Sequence, residues 1–381
     1  MDTLEIRVED IPPLQFVPPH CPRKDCPAGS GKAPFRWRVH AWYPRKTDQR
    51  WVIRFWCFAG RHTFSQQTFA ESYYAKAPGW TVPIASMLVN GAGYRQIARV
   101  LRCSPAAVAR RAAKIGRHCL LLHSRALSRL RSLSESIVYD HFESFAYGQD
   151  HPCGVGLGVG HRTWFVYTLD FAPHRRGGRM TAEQRARQKT LSAPERVTYR
   201  NAFHRGMAIL LDRFEQVRLV TDGHAAYPDA IRRFGLGGRM TLEVHPNPKT
   251  RTADNRAATL VRDRAMFPSD QLHALLRHSC ANHKRETIAF SKRHNALLER
   301  GFLYLVWRNF VKRRSERRTK DPSPAMQVGL AEERWSWDRV FAKRLFPWRE
   351  PVPESWQTVY WREILTPALG RNARHALKYA A

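Results

Sequence analysis

The chain has 381 residues, 43% of them apolar, which is ample for folded cores and too much for a disordered tail; a length prior of roughly 150 residues per domain suggests two or three domains. Lys and Arg number 64 against 32 Asp and Glu, a net charge of +32 that calls for an anionic partner, and the 12 Trp, 12 Tyr and 19 Phe spread along the chain exceed what a simple charge-neutralising protein needs. No run approaches the roughly 18 apolar residues of a membrane helix, the opening MDTLEIRVED has no leader-like core, and the seven cysteines form no disulfide-like array, so a soluble cytoplasmic protein is expected.

Residues 1–70 hold Cys21 and Cys26, then a strand in which Trp51, Ile53 and Phe55 alternate with Val52, Arg54 and Trp56 before Cys57. This is how a zinc ribbon presents its two ligand pairs. Gly60 stands where the second pair would be completed, so the fourth ligand falls to His62 or His20, or is missing; the expected set is Cys21, Cys26, Cys57 and His62. The plain alternative is a small β-module with buried free cysteines.

Residues 79–119 read as three helices broken at 91–93 and 103–105, a helix-turn-helix pattern in which Ser104 caps the third helix and Pro105 suits its first position. Val108, Ala112 and Ile115 are expected to face inward, leaving Arg110, Arg111, Lys114 and Arg117 to lie along a DNA major groove. A basic solvated helix in an ordinary bundle is the plain alternative. A separate linking helix is expected over 120–135.

At Ile137 the chain turns β-branched, aromatic and glycine-rich. Three strands in succession, a helical stretch over 181–214 and two further strands, VRLVTDG and RMTLEVH, predict a mixed sheet over 136–312. A helix is expected to begin near Asp270, with a second through RHNALLERGFLYLVWRNFVKRR. Residues 313–381, basic, Trp-rich and interrupted by Pro, read as an irregular extension that touches DNA.

Aspartate is a poor strand former, so Asp140 inside IVYDHFESF and Asp222 at the end of VRLVT need reasons. Turn capping would explain Asp222, and an outward edge position Asp140. If both reach one sheet, they are costly neighbours unless they share cations, and hard carboxylate oxygens suit magnesium in phosphodiester chemistry. A helical acid would complete the set; Asp270, Asp263 and Glu286 are the candidates, with helix-dipole stabilisation as the alternative role of Asp270.

The ordered series of ribbon, helix-turn-helix, VYDHFESF, LVTDGHAAYP and the stretch from Asp270 through LRHSCANHKRETIAFSK resembles the insertion-sequence transposases that join a zinc ribbon and a helix-turn-helix to an RNase H-like DDE core. It spans most of 21–312. The resemblance implies a multidomain α/β protein whose RNase H-like mixed sheet is flanked by helices. It further implies a strand Asp, a TDG-type Asp and a helical acid around two Mg2+ (or Mn2+) ions. A basic segment that follows the helix in that family matches 285–292, and counting back from it without gaps puts the helical acid on Asp270, making the set Asp140, Asp222 and Asp270. Arg277, Arg285 and Lys292 are then expected DNA contacts, His273 a second neighbour of the scissile phosphate, and His141, Glu143 and His224 supports behind the acids. The implied partners are double-stranded element ends and target DNA, bound by a homo-oligomer associated with a prokaryotic nucleoid. Gly60 and a long insertion before Asp270 depart from the family pattern. Rival readings are a DNA-binding regulator or transposase relic, and a nuclease of the same fold that does not join ends.

Overall fold

Three strands form the N-terminal ribbon, β1 (Trp37–Pro44), β2 (Trp51–Cys57) and β3 (His62–Ser65), paired antiparallel in that order. The structure, a computed structural model, describes residues 16–45, 50–190, 198–248, 250–285 and 287–369. The alternation along β2 turns Ile53, Phe55 and Cys57 inward, where Phe55 stacks on Phe64 at 5.5 Å. So small a sheet buries little surface, and its core borrows Phe346 from far along the chain.

The three expected helices are α1 (Thr81–Val89), α2 (Tyr94–Val100) and α3 (Pro105–Leu127), with Ser104 accepting the Ala107 amide at 3.2 Å as the cap of α3. There is no separate linking helix over 120–135. Helix α3 runs on unbroken to Leu127, so the expected boundary after residue 119 falls inside it. Gly116, read alone, weakens a helix; here a Cβ would lie 2.3 Å from the Glu299 carbonyl, and the missing side chain lets α3 press against α8 (His294–Val306). Cys119, Leu120, Leu121 and His123 are consequently buried in a core continuous with that of the sheet.

The larger sheet has five strands in the order β6-β5-β4-β7-β8. Strands β4 (Ile137–Phe145), β5 (Pro152–Gly160) and β6 (Val166–Pro173) make the expected meander; β7 (Val217–Thr221) and β8 (Met240–Val244) add in parallel beyond β4. Helices α4 (Ala182–Thr190) and α5 (Thr198–Leu211) occupy the expected helical stretch. Parallel strands need a crossover, and α6 (Ala226–Arg233), which the sequence pattern did not reveal, supplies it between β7 and β8. The helix expected to begin near Asp270 begins fourteen residues earlier (270 − 256): α7 spans Arg256–Ser279 and carries Pro268 within it.

Residues 313–369 are not a free extension. Short helices α9 (Pro324–Gln327), α10 (Trp337–Val340) and α11 (Glu354–Tyr360) strap them back over the body. Trp356 is fully buried and donates to the Leu169 carbonyl of edge strand β6 at 2.9 Å. Asn309 bonds both the amide and the carbonyl of Val166, and Arg205 donates to the Phe171 carbonyl, so side chains cap the free edge of the sheet. Among the described residues no helix is long and apolar enough to cross a membrane.

Candidate functional site

Two clusters of ligand-type side chains stand out. In the ribbon, the β2–β3 register sets Cys57 opposite His62, and the loop before β1 brings Cys21 and Cys26 against them. All four are buried, and their ligand atoms lie within 4.8 Å of one another. Thiolates held at about 2.3 Å around a tetrahedral zinc are about 3.8 Å apart. Cys26 Sγ and Cys57 Sγ are 3.8 Å apart, and Cys21 Sγ is 3.4 Å from His62 Nε2. These four can hold a metal ion such as zinc. His20 stays outside the set, packed edge-on between Phe69 and Phe346. The glycine at position 60 is explained by the same geometry: a Cβ there would sit 2.5 Å from Cys26 Sγ and 2.5 Å from His62 Nδ1, so His62 fills the space a residue 60 side chain would need.

The second cluster lies on the five-stranded sheet. Strand β4 is central, and its parallel register with β7 pairs Ile137 with Leu219 and Val138 with Val220. Two residues further along, that register sets Asp222, just past the end of β7, beside Asp140. Alternation along β4 puts Asp140 and Phe142 on the face covered by α7, whose His273 Nδ1 is 3.8 Å from Asp140 Oδ2 and whose Arg277 lies 4.6 Å over the Phe142 ring. Asp270 is one turn before His273 on α7.

Burial, then the charge of Asp222, and more weakly that of Asp270, push the Asp140 carboxyl up to about 7. Its oxygen accepts the His141 amide at 2.7 Å, with the Tyr227 hydroxyl 3.5 Å away. Among the described residues neither Asp140 nor Asp222 has an Arg or Lys ion-pair partner, although Asp150, Asp170, Asp229, Asp263 and Asp321 each have an arginine. Asp270 differs from the other two members of the expected triad, because Arg262 from the same helix holds its carboxylate, with Nη2 at 3.3 Å from Oδ1. Asp263 is taken by Arg251 and Arg262, and Glu286 lies outside the described residues.

On the opposite face of β4, His141 stacks on Tyr227 and its Nδ1 is 2.9 Å from the Tyr227 hydroxyl, while Glu143 bonds His174 and Tyr199. Tyr227, Tyr199 and His174 were missed by sequence reasoning. The one signal for Tyr227 is its place in the HAAYP run five residues after Asp222 (227 − 222).

The cations expected along α3 need correction. Arg110 alone of the four is exposed. Arg111 donates to Thr81 Oγ1 and the Ala77 carbonyl, Lys114 donates to the Tyr73 carbonyl at 2.8 Å, and Arg117, 2% exposed, lies near Glu299 and over the Tyr360 ring. The segment 71–77 and the C-terminal strap cover that face. Exposed basic charge on this module comes instead from Arg95 and Arg99 of α2 and from Arg102 in the turn. Of the remaining expected contacts, Arg285 and Lys292 are exposed and Arg277 is half-buried. Compared with known protein families and with curated proteins, the chain finds no match.

Proposed function

We propose that this chain is a DDE-type transposase of an insertion sequence, cutting DNA at element ends and joining them to target DNA with divalent metal. The observation that carries the reading is the pair Asp140 and Asp222. They are adjacent by strand register and unmatched by Arg or Lys among the described residues, in a protein with an excess of 32 positive charges. Such a pair is expected where a divalent cation is the missing counter-charge. Support for the RNase H-like reading comes from the mixed sheet with one acid on its central strand, a second at the tip of its parallel neighbour and a helical acid packed near them.

Asp140 and Asp222 would hold magnesium or manganese, with Asp270 as third ligand once Arg262 releases it. Cations bound there would activate the attacking oxygen and stabilise the leaving one. The chain's own groups would set the geometry. The His141 amide and the Tyr227 hydroxyl orient Asp140, and His273 stands beside it, held neutral by burial that lowers its pKa to about 4. Arg277, fixed over Phe142, is placed to bind a phosphate. The basic surface of Arg95, Arg99, Arg102 and Arg110 supplies the sequence-independent part of DNA binding.

The test uses a duplex carrying one element end taken from the DNA that flanks the coding region. Asp222→Asn should lower magnesium-dependent nicking and strand transfer about a thousandfold, roughly 4 kcal/mol of barrier, with DNA binding and thermal unfolding unchanged. Full activity in that variant would sink the proposal. Hydrolysis without joined products from the wild-type protein would favour the nuclease reading.

A further inference from the structure

We infer that a groove between the helix-turn-helix and the C-terminal end of α7 holds the sugar-phosphate backbone of the DNA strand entering the acid site. The two modules of one chain then grip one continuous stretch of DNA. The inference rests on DNA being the substrate, as proposed above. The groove encloses about 550 Å³. One wall is the α1–α2 turn at Asn90 and Gly91; the other is the last turn of α7 at Arg277 and His278, followed by Lys284 and Arg285. No carboxylate is among the described residues that line it.

Geometry gives those cations separate tasks. Arg277 sits at the negative end of the α7 dipole, which offsets part of its charge. Arg277 is also anchored, donating to the carbonyls of His283 and Glu143, each at 3.2 Å. Lys284 and Arg285 lie beyond the helix and are exposed, and the Arg285 charge still bears on Arg277 after burial has had its larger effect. Their field needs an anion from outside. The groove also leads somewhere: Arg277 is one helical turn past His273, the residue that touches Asp140. The modules cannot drift apart at this seam, because α3 is pressed along α8 at Gly116 and shares its core with the sheet. A phosphate chain following the groove would pass from the helix-turn-helix to the acids without leaving positive potential.

The experiment measures binding of the full chain to a labelled mixed-sequence duplex with a single-stranded 3′ arm, across a salt series. For duplex DNA, log K falls with log salt at about 0.9 per phosphate contact, so the double variant Lys284→Gln, Arg285→Gln should have a slope shallower by about 2. Asn90→Lys, on the opposite wall, should steepen it by about 1. Position 90 is exposed at the end of α1, where a cation complements the helix dipole, so this variant should melt as the wild type does. An unchanged slope in the double variant, or an Asn90→Lys protein that binds like wild type, overturns the groove. The two proposals fail separately: an active Asp222→Asn removes the enzyme and leaves the groove, whereas an inactive one with unchanged slopes removes the groove alone.

Discussion

The Cys3His centre of the ribbon and the acid cluster of the sheet are built on opposite plans. In the ribbon, four ligands from one small module face one another, all buried, and leave no side open to a substrate. On the sheet, the acids come from β4, the tip of β7 and the middle of α7; Asp140 keeps 19% of its side chain exposed and Asp270 43%. A closed thiolate and imidazole set suits a metal whose task is to hold a fold, and an open oxygen set suits one that must meet its substrate. The two regions should therefore answer mutation differently, the first through stability and the second through rate.

The sharpest contrast is within α7. Asp270→Asn should reduce strand cleavage by about 100-fold to 1000-fold with little change in melting, while Asp263→Asn, whose carboxylate already serves Arg251 and Arg262, should stay within about threefold of wild type; equal losses would show that the third ligand is misassigned. Next comes the ribbon. Cys57→Ser, or chelation of metal from the wild type, should remove one equivalent of zinc and unfold the ribbon first, seen as lost near-ultraviolet signal from Trp37 and Phe55. Zinc-free protein with an unaltered spectrum would erase the contrast. A smaller effect is expected at position 60, where restoring the ribbon-type cysteine should harm: Gly60→Cys would crowd Cys26 and His62 and cost about 1–3 kcal/mol. A gain in stability would mean that the loop relaxes to accept a new ligand.

The last effect is spread over a range of pH and concerns Lys114. Burial lowers its pKa from 10.5 to about 8, so between those values the unfolded chain keeps a proton that the folded chain has released. Stability should therefore rise with pH across that window, by at most about 1 kcal/mol per unit, and Lys114→Met should lack this component. Identical pH profiles would place Lys114 in solvent, as the helix periodicity first suggested.

How far each region could be read in advance follows from how far apart its parts lie. The cysteine ligands were legible because the two knuckles flank a strand whose alternation marks it; the choice between His62 and His20 was not, since it depends on the β2–β3 register and on the space beside Gly60. Asp140 and Asp222 were legible as acids in strands, yet their adjacency depends on parallel pairing across the intervening chain. The start of α7 was hidden because the apolar residues of 256–265 mark no buried face, Leu260 and Val261 being exposed, and because Pro268 reads as a breaker. Helical periodicity placed Val108, Ala112 and Ile115 inside correctly. It could not foresee that 71–77 would also cover Arg111 and Lys114, because what lies over a helix is a tertiary fact. The Trp and Phe residues after 313 read as irregular for the same reason: Phe346 and Trp356 have no local pattern and act as plugs in distant cores.

The capped edge of β6 bears on how the protein tolerates shortening. Without the strap that carries Trp356, the Leu169 carbonyl and the apolar surface around it would face water as an open strand, a template onto which a second molecule could add its own. A chain ending near residue 350 should therefore emerge as sticky, self-associating material, even though every acid and every cysteine ligand would still be in place.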